Sequence, residues 1–393
     1  MLWGGPRAAP ARPDKLHGML PRVRQPVYDA YWRFAAERQQ IFLRRMRGAP
    51  GPWTDDPILQ RFKFCNTYRA SDRVSQYLIS RVIYDPAARD LPAEDVFLRI
   101  VLFRLFSKEA TWEALEEATG GVQRDTLDVE RLGDLLEHLR RDQAIYTAAF
   151  ILCAHNAYGH RAKHRNHLAL VAEMFRRGGL GRDLAQATSL QEIYETLCRW
   201  PMIGPFMGYQ LAVDLNYSDR LEFSEDEFTV PGPGAIRGLR KVFSDFGDQT
   251  PTQLIMGMVD RQEQEFDRLD LPWENLFGRR LHAIDCQGLF CETDKYARQA
   301  FPELASDRVR IKQEFHRSTE SLALFYPPKW GLQEAVAAAR DGSRQPDDRR
   351  QLTLDDAPPN PVKRRRSAAA GRRGGPIEVE GLTVPLSGTT VGA

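Results

Sequence analysis

Residues 190–215 read LQEIYETLCRWPMIGPFMGYQLAVDL. An amphipathic helix runs to Trp200 and Pro201, a tight Met-Ile-Gly turn follows, and a second helix begins around Pro205. The same helical period governs most of the chain. Residues 27–47 (VYDAYWRFAAERQQIFLRRMR), 94–106, 108–119, 128–154, 161–177 and 189–199 each place apolar side chains three and four apart. Asp128 and Ser189 stand just before such runs, where a short oxygen-bearing side chain takes the free N–H groups of a helix start. Alternating patterns are scarce, and residues 220–230 are the one stretch that reads as extended. The expectation is an all-α domain over residues 25–340.

Beyond that domain the composition changes. From residue 341 onward Pro, Gly, Ser, Arg and Asp dominate, so burial cannot offset the entropy of ordering, and residues 341–393 are expected to form a disordered basic tail. Residues 1–24 make a second, flexible basic arm. Lys and Arg number 55 against 53 Asp and Glu, so the basic excess at the two ends leaves the middle mildly acidic. If the globular part meets DNA it does so through a local patch, with the arms adding non-specific attraction. Hydrophobic residues make up 42% of the chain, ample for a core. No uncharged apolar run reaches the roughly 18 residues of a membrane span, and residues 1–26 hold no apolar signal stretch. Five cysteines without a CxxC pair fit reduced thiols inside a cell. An intracellular protein is expected, nuclear if a eukaryotic cell reads KRRR at 363–366 as an import signal, and cytoplasmic otherwise.

Four stretches concentrate functional chemistry. Residues 56–73 (DPILQRFKFCNTYRASDR) gather Arg61, Phe64, Asn66, Tyr68, Arg69, Asp72 and Arg73. Forked guanidinium groups, an amide and stacking rings suit a nucleic-acid site, and equally suit a buried turn stitched by Arg–Asp pairs. In the 190–215 stretch the turn looks like a helix-hairpin-helix, in which Gly204 brings backbone N–H groups close to a DNA phosphate and Gly208 lets the helices approach. An ordinary pair of antiparallel helices would look the same. Residues 223–241 (FSEDEFTVPGPGAIRGLRK) carry Asp226 before a Pro-Gly-Pro-Gly loop, with Gly232, Gly234 and Arg237 at the next helix start; a plain acidic loop is the competing reading. Residues 279–298 (RRLHAIDCQGLFCETDKYAR) set Asp285, Glu292, Lys295 and Tyr296 beside an apolar helix face.

Other patterns narrow the chemistry. His155, His160, His164 and His167 have helical spacing, but interleaved Arg161, Lys163 and Arg165 repel a cation, so no metal is expected and a basic, phosphate-facing helix is. There is no GxxxxGK[ST], GxGxxG after a strand, GxSxG or HExxH, so no cofactor is expected and the chain alone should not use ATP.

Taken in order, RFKFCNTYRASDR, WPMIGPFMGYQLAVDL, FTVPGPGAIRGLR and IDCQGLFCETDKYAR resemble the helical domain of phage 5-hydroxymethyluracil DNA kinases, a group also described as α-glutamyl/putrescinyl-thymine pyrophosphorylase-like. The resemblance implies a helix-hairpin-helix fold of the DNA-glycosylase type and a role in hypermodifying thymine-derived bases, probing them by base flipping. It points to Arg61, Phe64, Asn66, Arg69, Asp72, Gly204, Gly208, Gln210, Asp226, Gly232, Gly234, Asp285, Glu292, Lys295 and Tyr296. Asp72, Asp226, Asp285 and Glu292 are then acid/base candidates, with Lys295 as nucleophile or electrostatic stabiliser. Tyr68 and Arg237 join the DNA-binding set. A non-catalytic DNA-binding module that presents the base to a separate kinase or transferase is the alternative, as is a helical scaffold that never touches DNA. The charged groups of the first and fourth stretches lack complete local partners, so the two stretches are expected to meet across one cleft.

Overall fold

The first helix, α1 (Gln25–Met46), opens with Pro26 in its first turn and buries one dense stripe, including Tyr31, Trp32, Phe34, Phe42 and Leu43. A computed structural model describes residues 21–147, 156–304, 308–311, 313–316 and 323–341, all within one compact unit. After α1 come the short helices α2 (Pro57–Arg61) and α3 (Arg73–Tyr77), the latter continuing into a π-helical turn over Leu78–Ile83. Then follow α4 (Ala93–Phe106), α5 (Glu109–Thr119), α6 (Val129–Asp142), α7 (Lys163–Ala172), α8 (Leu180–Gln186), α9 (Leu190–Cys198) and α10 (Pro205–Leu215). The last helices among the described residues are α11 (Pro233–Val242), α12 (Pro251–Arg268), α13 (Ala283–Ala300) and α14 (Gln333–Asp341). The all-α expectation holds.

Two groups of helices form the body. α4 is buried around its whole circumference and sits at the centre of one group, packed on α7, α8 and α10. In the other group α13 is central, covered by α1, α11 and α12. The tightest crossing in this second group is between α11 and α13: a β-carbon at Gly238 would stand 1.9 Å from the carbonyl oxygen of Phe290. Only glycine permits that approach. Residues 57–77 lie at the junction, touching α13 on one side and leading into α4's neighbours on the other.

Local signals are obeyed where they are strong. Asp128 accepts from the N–H groups of Glu130 and Arg131, and Ser189 from that of Glu192. The run expected over 128–154 stops at Asp142; its last residues, 148–154, lie outside the described residues. Residues 220–232 contain turns and irregular backbone but no strand. The one small sheet among the described residues pairs β1 (Arg22–Val23) antiparallel with β2 (Phe243–Asp245). Arg24 adds hydrogen bonds to the carbonyls of Arg240 and Phe243, so the end of the expected N-terminal arm is tied to α11. Residues 1–20 and the expected tail, apart from Asp341 at the end of α14, lie outside the described residues. No described helix is long and apolar enough to cross a membrane.

Candidate functional site

Arg38 lies four residues after Phe34 and four before Phe42, which places a cation on the buried stripe of α1. It lines a cavity of about 740 Å³, together with residues of the 51–54 loop, α2, the 62–66 segment, the start of α3 and residues 314–316. Phe42, Trp53, Phe62 and Phe64 supply aromatic wall, and Asn66 and Asp72 join Arg38 as polar lining. The volume is in the range of small-ligand sites. Residues 313–315 close one side by pairing as a bridge with 61–63: the Lys63 N–H donates to Gln313 O at 3.0 Å and the Phe315 N–H to Arg61 O at 2.9 Å.

The polar groups of this cavity are held by backbone. Asn66 donates its side-chain N–H to Ser71 O at 2.7 Å, and its own amide N–H goes to Asp72 Oδ1 at 2.8 Å. Asp72 is the N-cap residue of α3, yet its carboxylate caps no helix N–H; it is turned back to Asn66 instead. Burial pushes the Asp72 carboxyl up to about 6, against the pull of the Asn66 hydrogen bond and the Arg38 charge. Arg38 is half-buried and makes no hydrogen bond or ion pair to a described residue. Burial lowers its pKa, with the charges of Asp72, Cys65 and Glu292 partly offsetting that.

Behind the cavity, the first and fourth stretches do meet, but as a packed seam. The Arg69 N–H donates to Asp285 Oδ1 at 2.8 Å, and the Cys65 N–H to Glu292 Oε2 at 3.0 Å. Tyr296 Oη donates to Asp56 Oδ2 at 2.7 Å, Tyr68 Oη donates to Arg279 O at 2.8 Å, and Lys295 pairs with Glu292 at 2.5 Å while lying 5.1 Å over the Phe64 ring. Burial pushes Asp285 up to about 6. For Lys295 burial works downward, but Glu292 outweighs it and its pKa is raised. No α13 residue lines the cavity. The expected shared cleft is therefore one-sided: Phe64, Asn66 and Asp72 face open space, whereas Asp285 and Glu292 are buried against them.

The remaining candidates disperse. The Arg69 guanidinium is buried on Asp214 at 2.8 Å, Gln210 Oε1 at 3.1 Å and the Tyr217 hydroxyl at 3.0 Å. Arg104 holds the same Asp214 carboxylate with a second pair of contacts. Asp226 accepts from the Ala283 N–H at 3.0 Å and pairs with His282 Nδ1 at 2.9 Å, at the N-terminus of α13. Burial opposes ionisation there, but the His282 hydrogen bond outweighs it and holds the carboxyl below the usual range. Arg237 pairs with Asp294 at 3.1 Å. Arg61 is exposed, 5.0 Å over the Phe62 ring. Gly204 and Gly232 are the N-cap residues of α10 and α11, Gly234 abuts Cys291, and a β-carbon at Gly208 would stand 2.5 Å from Cys198 Sγ on α9.

The histidine helix is not a phosphate face. His164 and His167 are buried, His164 facing Glu137 and His167 bonded to the Tyr146 hydroxyl at 3.0 Å, while Arg165 pairs with Glu130 and Asp134 of α6. His155 lies outside the described residues. The residues missed by pattern reading are Arg38, Trp53 and the 314–316 segment. Arg38 had a visible signal, a cation in phase with Phe34 and Phe42.

Residues 25–306 match the family described as the helical domain of 5-hmdU DNA kinase. The chain belongs to this family. A relative named 5-hmdU DNA kinase, from Bacillus phage SP10, is 26% identical over 329 residues, which are 78% of this chain and 51% of the relative. This member of the helical-domain family thus spans about half the length of that relative. No solved structure matches it.

Proposed function

We propose that this helical-domain protein acts in the modification of 5-hydroxymethyluracil-derived bases in DNA, taking the target base out of the duplex and into the cavity beside Asp72. The observation that carries the reading is the cavity itself: about 740 Å³, walled by Phe42, Trp53, Phe62 and Phe64, with Asn66, Asp72 and Arg38 as hydrogen-bonding lining. Aromatic faces accept any base by stacking, and a few fixed polar groups select among them. The family match, and a relative named for 5-hmdU DNA, direct the reading to that base class.

Among the acid/base candidates, Asp72 is the one that lines this space, and a carboxyl near 6 can hold or release a proton close to neutral pH. Asp226, Asp285, Glu292 and Lys295 serve this reading as internal supports that position the 64–72 segment and α13. We read the α9–α10 turn, with its exposed Gly204 and neighbouring Phe206, as the helix-hairpin-helix grip on the backbone. A second reading of the same site is a division of labour, in which the base held here is served to a separate kinase or transferase.

The test is binding of the purified chain to duplexes that contain 5-hydroxymethyluracil, its phosphorylated form or thymine at one position, followed by mass spectrometry of the DNA. Tighter binding of a modified duplex, lost on filling the cavity with Ala323→Trp, supports the reading. Equal affinity for all three duplexes, unaffected by that substitution, removes it.

A further inference from the structure

A half-buried guanidinium and a carboxylate that line one cavity ordinarily close on each other. Arg38 and Asp72 do not: they interact through space, but the structure holds no ion pair within 4 Å between them. Two restraints keep them apart. The Asp72 carboxylate is anchored by the Asn66 N–H, and Arg38 is carried on the rigid frame of α1. The neighbouring Asn66 commits its backbone N–H to Asp72 and one side-chain N–H to Ser71 O, while no described group donates to its Oδ1. The cavity thus offers a donor, Arg38, and backbone-anchored acceptors, Asp72 and Asn66 Oδ1, with aromatic wall nearby.

Resting on the proposed function, we infer that Arg38 and Asp72 are the specificity-determining pair that reads the Watson–Crick edge of a 2,4-dioxopyrimidine. Such a ring presents one donor, N3–H, between two carbonyl acceptors. Asp72 accepts from N3–H and Arg38 donates to the C4 carbonyl. A 4-aminopyrimidine presents the opposite pattern at two of these positions: its bare N3 meets the Asp72 carboxylate and its amino group meets the Arg38 donors, so both encounters are repulsive. Base selection therefore comes from unpaired polar groups as much as from paired ones.

The experiment measures affinity of the full chain for one single-stranded oligonucleotide carrying either 5-hydroxymethyluracil or 5-hydroxymethylcytosine, which share the 5-substituent and differ at the edge. The wild type should prefer the uracil form roughly tenfold or more. Asp72→Asn, whose amide can turn a donor or an acceptor to the ligand, should gain the cytosine form and bring the ratio close to one. Arg38→Gln should weaken the uracil form by roughly tenfold, and Arg38→Lys should restore part of that loss, with circular dichroism confirming that each variant is folded. Wild-type binding of both oligonucleotides with equal affinity overturns the edge-reading pair but leaves base capture standing. A preference that survives Asp72→Asn and Arg38→Gln does the same. Absence of binding to either oligonucleotide, and to the modified duplexes, overturns the proposed function and this inference with it.

Discussion

Residues 64–73 face two regions of the molecule, and their polar side chains meet different fates in each. Toward the interior, Arg69 reaches a junction where Asp214 is shared with Arg104 and every charge has an opposite charge against it. Toward the cavity, only three residues away in either direction, Asn66 and Asp72 keep acceptors that no described side chain satisfies, and Arg38 makes no ion pair to a described residue. Arginine and aspartate occur in both regions but follow an opposite logic. Buried charges that close on one another hold the halves of the domain together, whereas charges held short of closure keep interaction capacity for a ligand.

The sharpest way to break this contrast is to remove the centre of the closed region. Asp214→Ala leaves two buried guanidinium groups without their carboxylate, a change of the kind that costs about 3–5 kcal/mol. The variant should be largely unfolded or melt far below the wild type in chemical denaturation followed by circular dichroism. A variant as stable as the wild type would show that the junction is not what the geometry says it is.

Titration of Asp72 separates the regions next. Its carboxyl sits at about 6 in the folded protein against an ordinary 3.8, so between those values the folded state holds a proton that the unfolded chain has released. Stability from this group is present below pH 3.8 and is lost as pH rises through about 6. Asp72→Asn lacks the titration, so its melting temperature relative to wild type should climb from pH 4 to pH 7. Asp285, also near 6, and His167, which burial pushes down to about 3, titrate in both proteins and cancel in the comparison. A difference that stays flat with pH would mean that Asp72 is solvated.

Asn66→Ala probes the open region with a smaller cost. It removes one hydrogen bond, to Ser71 O, worth about 1 kcal/mol. Melting should therefore shift little while preference for the modified base falls. A large loss of stability would move Asn66 into the structural group with Arg69.

These outcomes bear on how far the sequence could be read. Helix α9, the hairpin turn and the caps at Asp128 and Ser189 were legible because each is decided within a few residues. The 18-residue helix α12 carried an equally local signal, the Thr250–Gln253 capping box, and pattern reading passed over it. That the first and fourth stretches meet was expected, but through paired charges; Asp285 instead takes the backbone N–H of Arg69, 216 positions away, while the Arg69 guanidinium goes to Asp214. The cavity was not legible, because it assembles α1, the 51–54 loop, the 62–72 segment and residues 314–316 from distances that no local period encodes. Nor could spacing tell that Arg69 turns inward and Asn66 outward; the 3₁₀ turn at Arg69–Ser71 sets that.

The smallest effect concerns Arg61, which belongs to neither region. It is exposed, and its guanidinium rests 5.0 Å over the ring of Phe62, a cavity-lining residue. Exposed cation–ring contacts are worth about 0.5–1 kcal/mol at most, so Arg61→Ala should leave melting within about 1 kcal/mol of wild type. Its position beside the cavity, on a surface that also carries Lys63, makes it a phosphate contact in the proposed DNA complex. One lost phosphate contact lowers the salt slope of binding, d log K/d log[salt], by about 0.9 on duplex DNA, and does so equally for modified and unmodified sequences. That pattern differs from the one expected at Asn66, an uncharged position where discrimination changes and the salt slope does not. If Arg61→Ala alters base preference instead of the salt slope, the boundary of the reading site extends beyond the cavity to the rim, and the division drawn here between gripping and reading residues fails at that point.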